Sequence, residues 1–399
     1  MPAGLAVPQT LPAELKVIWQ RPVGNGFGSP VVSGGRVFFL DNQNGQETVH
    51  AAEADTGKDV WSAPLDPVFK DTQSVPGPRS TPVVDGDRVY VQSCRGEFRC
   101  LEAATGKVRW RVNFVRDFAA VFIGEKGAAV GASRHGNTGS PVVDGDHLLV
   151  SVGGTNGASV VCFDKRSGAV IWKSQSDVPG HSGPVLASIA GVRQAVSFTA
   201  AGVMSLNPRD GALLWRVPVK SSIGRHVTTP VVVDDWVLVS SHEAGLIGIR
   251  VTKDDSGWHA QTAWAARALA INFASPVVAG GYLYGVGPAR NLICVDIRTG
   301  RPAWSQTGYF LSEPGSAYAG FLVMGQTILF LTDAGELVQI AADAARCREL
   351  GRTQICGANW CNPAYADGRL YCRDARQLSC VQLVPGMAAH PPASGRKSD

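Results

Sequence analysis

Residues 81–110 read TPVVDGDRVYVQSCRGEFRCLEAATGKVRW, and this stretch decides the fold. It begins with a Pro-Val-Val phrase, turns at Asp-Gly-Asp, and continues as a strand in which apolar residues alternate. Glycine and aspartate favour tight hairpin turns, and apolar alternation is typical of a half-buried strand. A third apolar segment follows, and then a Thr-Gly turn leads into a segment that ends in Trp110. The stretch therefore predicts a unit of four antiparallel strands.

The same unit recurs along the whole chain. Its opening phrase appears eight times, as SPVVSGGRVFFL (29–40), TPVVDGDRVYVQ (81–92), SPVVDGDHLLVS (140–151), GPVLASIAGVRQAVSF (183–198), TPVVVDDWVLVS (229–240), SPVVAGGYLYGV (275–286), AGFLVMGQTILFL (319–331) and NPAYADGRLYC (362–372). The last strand of the unit carries a tryptophan with a predicted structural role between units: Trp19, Trp61, Trp110, Trp172, Trp215, Trp264 and Trp304. A repeated four-stranded unit is the sequence signature of a β-propeller.

The final copy of the unit has only three strands, and the missing fourth strand lies at the other end of the chain. The segment LKVIWQRPV (15–23) places Trp19 at the expected position, and its pairing with the last copy would remove an exposed sheet edge. We therefore predict an all-β, eight-bladed β-propeller of four-stranded antiparallel blades, closed by the N-terminal strand. The expected organisation is an extension over 1–14, one propeller domain over 15–384, and a disordered Pro- and Ser-rich tail over 385–399.

Composition and charge narrow the classes of function. Hydrophobic residues make up 45% of the chain and charged residues 18%, which indicates a packed core rather than disorder. The net charge of +4 and the lack of a basic run argue against nucleic-acid binding. No stretch reaches the roughly 20 apolar residues that a transmembrane helix needs. We expect a monomer.

The Trp-ending turns support a resemblance to a known repeat. ADTGKDVW (54–61), AATGKVRW (103–110) and IRTGRPAW (297–304) resemble the pyrroloquinoline-quinone-type propeller repeat, and the resemblance extends over residues 15–384. That superfamily contains quinoprotein alcohol dehydrogenases and non-catalytic members. In character, this chain is nearest to exported bacterial propellers and to the outer-membrane barrel-assembly lipoprotein.

The resemblance also implies what a quinone site would need. Quinoproteins of this superfamily carry an adjacent Cys-Cys disulfide against the cofactor and a set of Asp, Glu and Asn residues that binds calcium. No Cys-Cys pair occurs here, and no carboxylate set follows that pattern. We therefore predict no cofactor, and quinone with calcium is disfavoured.

Nine cysteines are present. Cys100, Cys162, Cys294 and Cys380 recur at one position of the third strand, which is typical of buried core thiols. Cys94 with Cys100 and Cys372 with Cys380 flank hairpins, so each pair is a candidate cross-strand disulfide in an oxidising compartment. The cysteine spacing does not suit zinc, and no metal site is predicted. These features favour a periplasmic or secreted protein, although no signal peptide is visible; the alternative is a cytoplasmic protein.

Polar and aromatic residues precede the first strand of each blade. In a propeller these segments meet at the upper mouth of the central channel, so they predict a binding funnel. The predicted ligand-binding residues are Arg79, His135, Asn137, His181, Arg225, His226, Asn272 and Trp360, with Asn25, Phe27, Phe273, Tyr318 and Asn359 beside them. Arginine and histidine suit an anionic group, and tryptophan suits a flat one.

Three histidines in this predicted funnel have an alternative role. His135, His181 and His226 are the candidate catalytic residues, as general bases or as metal ligands. The other interpretation is that these residues are polar only because they are exposed to solvent, and that they bind no ligand. The long connection at 112–139 is predicted to cover the mouth as a lid or contact surface.

Two functions follow from these observations. We favour a non-quinone propeller that acts as a ligand-binding or protein-interaction scaffold through its funnel, with a small anionic molecule, peptide or protein as the partner. The alternative is an enzyme that acts on a small anionic or sugar-like substrate with the funnel His and Arg residues. A quinoprotein dehydrogenase is the least favoured, and whether the protein is an enzyme stays open.

Overall fold

The structure is a computed structural model that describes residues 7–70, 74–120, 135–313 and 316–384. The described chain forms eight separate four-stranded antiparallel sheets with almost no helix. These sheets are the blades of an eight-bladed β-propeller, as predicted. The first strands of neighbouring blades contact one another around a central axis, and the fourth strands lie outermost.

The blades follow the repeats of the sequence. Blade 1 comprises β2 (Val31–Ser33), β3 (Arg36–Gln43), β4 (Gln46–Glu53) and β5 (Asp59–Pro67). Blade 2 comprises β6 (Val83–Asp85), β7 (Arg88–Gln92), β8 (Glu97–Glu102) and β9 (Val108–Asn113). Blade 3 comprises β10 (Val142–Asp144), β11 (His147–Gly154), β12 (Ala158–Asp164) and β13 (Val170–Ser174). Blade 4 comprises β14 (Val185–Ile189), β15 (Val192–Thr199), β16 (Gly202–Leu206) and β17 (Leu213–Pro218).

The second half of the ring repeats this arrangement. Blade 5 comprises β18 (Val231–Val233), β19 (Trp236–Ser241), β20 (Gly245–Asp254) and β21 (Gly257–Ala266). Blade 6 comprises β22 (Val277–Ala279), β23 (Tyr282–Gly287), β24 (Asn291–Asp296) and β25 (Pro302–Gln306). Blade 7 comprises β26 (Ala319–Met324), β27 (Thr327–Thr332), β28 (Glu336–Ala341) and β29 (Glu349–Gln354). Blade 8 comprises β30 (Ala364–Ala366), β31 (Arg369–Arg373), β32 (Gln377–Gln382) and the closing strand β1 (Lys16–Pro22).

The closing strand joins the two ends of the chain. It pairs antiparallel with β32 and places Trp19 opposite Cys380. The indole of Trp19 donates to the carbonyl oxygen of Ala54 in blade 1 at 2.8 Å. Arg373 of blade 8 is fully buried and donates to the carbonyl oxygens of Leu40 at 2.6 Å and Gly24 at 2.7 Å. The predicted closure by the N-terminal strand is therefore confirmed.

Tryptophans tie six of the eight blades to the following blade. Six of the seven Trp rings donate an indole N–H to a backbone carbonyl of the following blade, namely Trp19, Trp61, Trp110, Trp172, Trp264 and Trp304. Trp215 instead donates to Gln194 in its own blade at 2.8 Å. Apolar side chains fill the space between sheets; for example, Phe38 of blade 1 and Val91 of blade 2 share one cluster. The core is thus a ring of inter-blade layers.

Residues that come directly before the proline of the blade-opening phrase tie several neighbouring blades together at the axis. The backbone N–H of Asn362 donates to Ser29 Oγ at 3.0 Å, and that of Ser29 donates to Thr81 Oγ1 at 3.1 Å. The N–H of Thr81 donates in turn to Ser140 Oγ at 3.1 Å. Proline fixes the backbone just after these residues, and their side chains satisfy an N–H that no strand pairs. The recurring Ser/Thr-Pro dipeptide is explained by these contacts.

The segments outside the blades include the N-terminal residues, the long connection after blade 2 and the C-terminal residues. Residues 7–14 run along blade 7, where Gln339 donates to the carbonyl oxygen of Pro8 and Thr353 to that of Ala13. A short helix, α1 (Phe114–Phe118), begins the connection predicted as a lid, whose residues 121–134 lie outside the described residues. The predicted tail at 385–399 also lies outside them. No helix in the described part of the chain has the length and apolar character to cross a membrane.

The structure corrects the predicted disulfides. All nine cysteines are free thiols. Cys100 lies opposite Tyr90, whereas Cys94 lies in the turn beyond that pairing. Tyr371 lies opposite Cys380, and Cys372 lies opposite Ser379, so the two thiols point to opposite faces of the blade. Flanking a hairpin is not enough for a bond, because the strand register decides which side chains meet.

Candidate functional site

A cavity of about 530 Å³ opens at the mouth of the central channel. It is bounded by the segments that precede the first strand of each blade, as the sequence predicted. Each blade from 1 to 8 contributes one large side chain to its wall: Phe27, Arg79, His135, His181, Arg225, Phe273, Tyr318 and Trp360. Ser and Thr hydroxyls, the amide of Asn362 and the side chain of Val227 complete the lining. We call this cavity the funnel.

The funnel has two chemically different halves. Arg79, His135, His181 and Arg225, from blades 2 to 5, form what we call the basic arc. Phe273, Tyr318, Trp360 and Phe27, from blades 6, 7, 8 and 1, form the aromatic arc. The described residues that line the funnel include neither an aspartate nor a glutamate. The arrangement suits a ligand with an anionic group on one side and a flat apolar group on the other.

Cation–π contacts join the two arcs at both ends. The guanidinium of Arg79 lies 4.9 Å from the ring centre of Phe27, and that of Arg225 lies 5.5 Å from the ring centre of Phe273. Arg79 also donates to Ser74, and Arg225 donates to Asn272 Oδ1 at 3.4 Å. Stacked and bonded guanidinium groups lose less conformational freedom when they bind an anion. Both arginines are therefore held in place at the mouth.

Two histidines lie side by side in the basic arc. The ring centres of His135 and His181 are 5.5 Å apart. Thr138 Oγ1 donates to the carbonyl oxygen of His181 at 2.9 Å and lies 3.2 Å from its Nδ1. The Thr138 hydroxyl thus contacts both the backbone and the ring of His181. The other ring nitrogen, Nε2, is buried and has no hydrogen-bond partner among the described residues.

The electrostatic surroundings keep His181 neutral. Burial lowers the pKa of His181 well below its usual value, and the nearby His135, Arg79, Arg225 and His226 lower that pKa further. All of these neighbours disfavour a positive charge on the ring, and none of them offsets the burial. An anion in the funnel would act in the opposite direction on the pKa.

Stacked rings build the aromatic arc. Tyr318 and Trp360 are 5.6 Å apart between ring centres and nearly parallel, at 11°. Phe273 meets Trp360 at 5.2 Å with a tilt of 57°. The Tyr318 hydroxyl donates to Asn362 Oδ1 at 3.1 Å. Trp360 is 37% exposed, unusual for so large an apolar ring, and that exposed face lies at the funnel.

The structure separates the predicted ligand-binding residues into three groups. Arg79, His135, His181, Arg225 and Trp360 line the funnel. Asn272 does not line it but holds Arg225.

Two predicted ligand-binding residues do not face the funnel. Asn137 is buried and donates to the carbonyl oxygen of Cys94 at 3.2 Å. His226 is fully buried and stacks on Phe198, with ring centres 4.3 Å apart. Successive side chains of an extended segment point to opposite sides, so Arg225 and His226 cannot both face the axis. Burial, above all, lowers the pKa of His226 to about 4.

Hydroxyl and amide residues of the lining were not singled out in the sequence. Ser29, Thr81 and Asn362 each come directly before the proline of a Pro-Val or Pro-Ala phrase. That shared position is the signal that could have found them. Their side chains add polar groups to the lining of the funnel.

The funnel does not match the chemistry of a metal or quinone site. Across 7–70, 74–120, 135–313 and 316–384, no group of three or more His, Cys, Asp or Glu residues is arranged to hold a metal ion. The described lining has no cysteine and no carboxylate, which are the groups that quinoproteins place against quinone and calcium. His135 and His181 alone do not make a metal site.

The sequence of this chain is similar to proteins of one family. A family model described as outer membrane protein assembly factor BamB matches residues 45–306, well over half of the chain. The protein of that name from Yersinia pestis is 26% identical over 352 residues, which cover 80% of this chain and 79% of that protein. The one from Moranella endobia is 26% identical over 271 residues, which cover 66% of this chain and 64% of that protein.

Solved structures agree on the fold. BamB from Moraxella catarrhalis has a TM-score of 0.62 at 16% identity and covers 95% of this chain and 100% of that chain. Quinohemoprotein alcohol dehydrogenase from Comamonas testosteroni has a TM-score of 0.64 at 15% identity and covers 97% of this chain and 79% of that chain. At such identities both likenesses show the propeller alone, so the sequence match decides between them. The chain belongs to the outer membrane protein assembly factor BamB family of β-propellers.

Proposed function

We propose that this protein is a non-catalytic interaction scaffold of outer membrane protein assembly, which works outside the cytoplasm and binds its partner at the funnel. Membership of the BamB family supports the process. The observation that carries the site is the half-exposed Trp360, which stands in a concave mouth beside Tyr318 and across from Arg225. Trp, Tyr and Arg are the residues that most often dominate protein interfaces.

The residues of the funnel favour binding over catalysis. A nucleophile needs a base that accepts its proton, and the hydroxyl of Thr138 divides its contacts between the ring of His181 and the carbonyl oxygen of the same residue. Among the described residues, no carboxylate lines the funnel to orient His181. The function proposed here therefore needs no turnover and no quinone.

Site-specific photo-crosslinking tests this proposal. Trp360 is replaced by a benzoyl-phenylalanine residue in cells, and Trp258, which lies on the outer hairpin β20–β21, receives the same replacement as a matched control. We expect crosslinks from position 360 to an outer membrane protein precursor or to another assembly factor, and none of these from position 258. Crosslinks to such proteins from position 258 alone would contradict the funnel as the binding site.

A second candidate is an enzyme that acts on a small anionic or sugar-like substrate. The observation that favours it is His181, which lies beside His135 and whose buried Nε2 has no hydrogen-bond partner among the described residues, because an imidazole can accept a proton. This candidate predicts a turnover that His181→Gln abolishes without loss of stability. Screening purified protein against sugar acids and carboxylate esters, with that variant alongside, separates the two functions.

A further inference from the structure

We infer that the funnel binds a polypeptide segment in which a carboxylate lies next to an aromatic ring, with the carboxylate at the basic arc and the ring on the aromatic arc. The polypeptide nature of this ligand rests on the proposed function. The carboxylate–aromatic chemistry rests on the funnel itself, whose two halves lie on opposite sides of one cavity.

The charge of the basic arc selects an anion. Arg79 and Arg225 lie on this side of the cavity together with His135 and His181, and a guanidinium group is a positively charged donor. Their planar forks match a carboxylate in geometry. Anionic groups in an unmodified polypeptide are carboxylates, either of Asp and Glu side chains or of the chain terminus. A positive or neutral polar segment would gain nothing from this half of the funnel.

The aromatic arc selects what stands beside that anion. Tyr318 backs Trp360 as a stacked partner, and Phe273 meets its edge, so the exposed face of Trp360 is held rigidly. A rigid aromatic face binds another ring or an apolar side chain at low entropic cost. Phe273 also lies under Arg225, which places the end of the ring platform next to a guanidinium. An anion and a ring in adjacent positions therefore match the junction of the two arcs.

Size limits the ligand to a short segment. A cavity of about 530 Å³ falls within the range of roughly 300–1,000 Å³ that is typical of sites for small ligands. A folded domain cannot enter it, whereas one or two residues of a chain can. The partner would therefore insert a terminus or a loop tip and keep its bulk outside the mouth.

Calorimetric titration with defined peptides tests the inference. The probes are acetyl-Gly-Ser-Gly-Phe with a free carboxylate, the same peptide as its amide, acetyl-Gly-Ser-Glu-Phe-Gly-Ser amide, and free 3-phenylpropionate. We expect the first or the third probe to bind and the uncharged amide to bind at least about tenfold more weakly, since a charge-assisted bond is lost. The comparison of the first and third probes shows whether the carboxylate comes from a chain end or a side chain.

Two arginine variants locate the site. Arg225→Gln is expected to weaken the binding of the carboxylate peptide at least about tenfold. The matched control is Arg250→Gln, because Arg250 also lies over an aromatic ring, that of Trp236 at 5.2 Å, but pairs with Asp235 and does not line the funnel. Thermal melting verifies that both variants fold. If Arg225→Gln does not fold, Arg79→Gln at the other end of the arc takes its place.

Four results would overturn all or part of this inference. Equal affinities for the carboxylate peptide and its amide, or equal effects of Arg225→Gln and Arg250→Gln, would overturn the inference. No peptide binding together with specific crosslinks from position 360 would overturn it while the proposed function stands. Binding of 3-phenylpropionate as tightly as the peptides would show that the peptide backbone adds nothing to the affinity, and this result would overturn the polypeptide nature of the ligand.

Discussion

A contact between one tryptophan and one glycine explains the most conspicuous phrase of the sequence. In AATGKVRW (103–110), Gly106 has a φ of +73°, and a Cβ placed on it would lie 2.6 Å from the ring of Trp61 in the preceding blade. Trp19 meets Gly57, and Trp110 meets Gly168, in the same way. The ring of the neighbouring tryptophan thus packs directly on the glycine of the turn, and this contact explains the motif without a cofactor.

Two glycines of the opening stretch test this contact. Gly106→Ala introduces both an unfavourable left-handed backbone and a clash with Trp61, whereas Gly86→Ala introduces only the backbone effect, since nothing lies within 4 Å of its Cβ at a φ of +57°. We expect Gly86→Ala to lower the free energy of unfolding by about 1 kcal/mol. Gly106→Ala should lower it by about 1–3 kcal/mol more. Chemical denaturation measures the free energy of unfolding of both variants. An equal decrease in the two variants would contradict the packing of Trp61 on Gly106.

Single residues also show what could not be predicted from the sequence, namely the direction of individual side chains. The ring of funnel positions follows from the repeat, because each blade places its Pro-Val phrase at the axis. Which of two adjacent residues faces that axis depends on local backbone direction, and for this reason His226 was assigned to the funnel although it is packed on Phe198. The two predicted disulfides were wrong for a related reason. Spacing places Cys372 and Cys380 on one hairpin, but only the register shows that they do not face each other.

At the scale of elements, ring closure depends on one strand from the far end of the chain. Strand β1 supplies the outer edge of blade 8 through its pairing with β32, and its Trp19 reaches blade 1. This element was predictable, because the last repeat lacks a strand and the N-terminal segment has the matching Trp. The hydrogen bonds from buried Arg373 to Leu40 and Gly24 were not, since they join blades that are distant in sequence.

Removal of the closing strand is therefore expected to destabilise the ring without changing the repeats. A chain that lacks residues 1–22 exposes the edge of β32 and loses the Trp19 contacts as well as the hydrogen bonds of Pro8 and Ala13 to blade 7, so it should melt at a lower temperature and associate through the free edge. The synthetic peptide LKVIWQRPV (15–23) added in trans should restore part of the melting temperature. Calorimetry and size-exclusion chromatography measure these effects. An equal gain with a scrambled peptide would contradict closure by strand pairing.

At the scale of the whole molecule, the funnel exists only when all eight blades are in place. Each blade contributes one large side chain to the cavity. The side chains from blades 2 to 5 are basic, and those from blades 6, 7, 8 and 1 are aromatic. The order of these residues could be predicted from the repeats. Their separation into a basic half and an aromatic half becomes visible only when the ends of the chain meet and Phe27 joins Trp360 and Tyr318 in one wall.

The shared electrostatics of the ring predict how binding depends on pH. The groups that face His181 are His135 from blade 3, Arg79 from blade 2, Arg225 and His226 from blade 5, and the hydroxyl of Thr138. The charged and titratable ones, together with burial, lower the pKa of His181. A bound carboxylate favours the protonated ring, so the pKa of His181 is higher in the complex than in the free protein. The complex therefore takes up protons, and the affinity must rise as the pH falls.

We expect the affinity for the carboxylate peptide to increase as the pH falls below about 6.5 towards about 5, by at most about tenfold per pH unit for one proton, because the pKa of free His181 lies well below its ordinary value. The peptide carboxylate itself stays ionised there, because its pKa lies near or below about 4. Titrations in buffers of different ionisation enthalpy measure the proton uptake directly. His181→Gln should abolish the uptake, and His259→Gln on the exposed outer hairpin should leave it unchanged. Uptake that survives in His181→Gln but is lost in His135→Gln would assign the proton to the neighbouring ring and contradict this prediction.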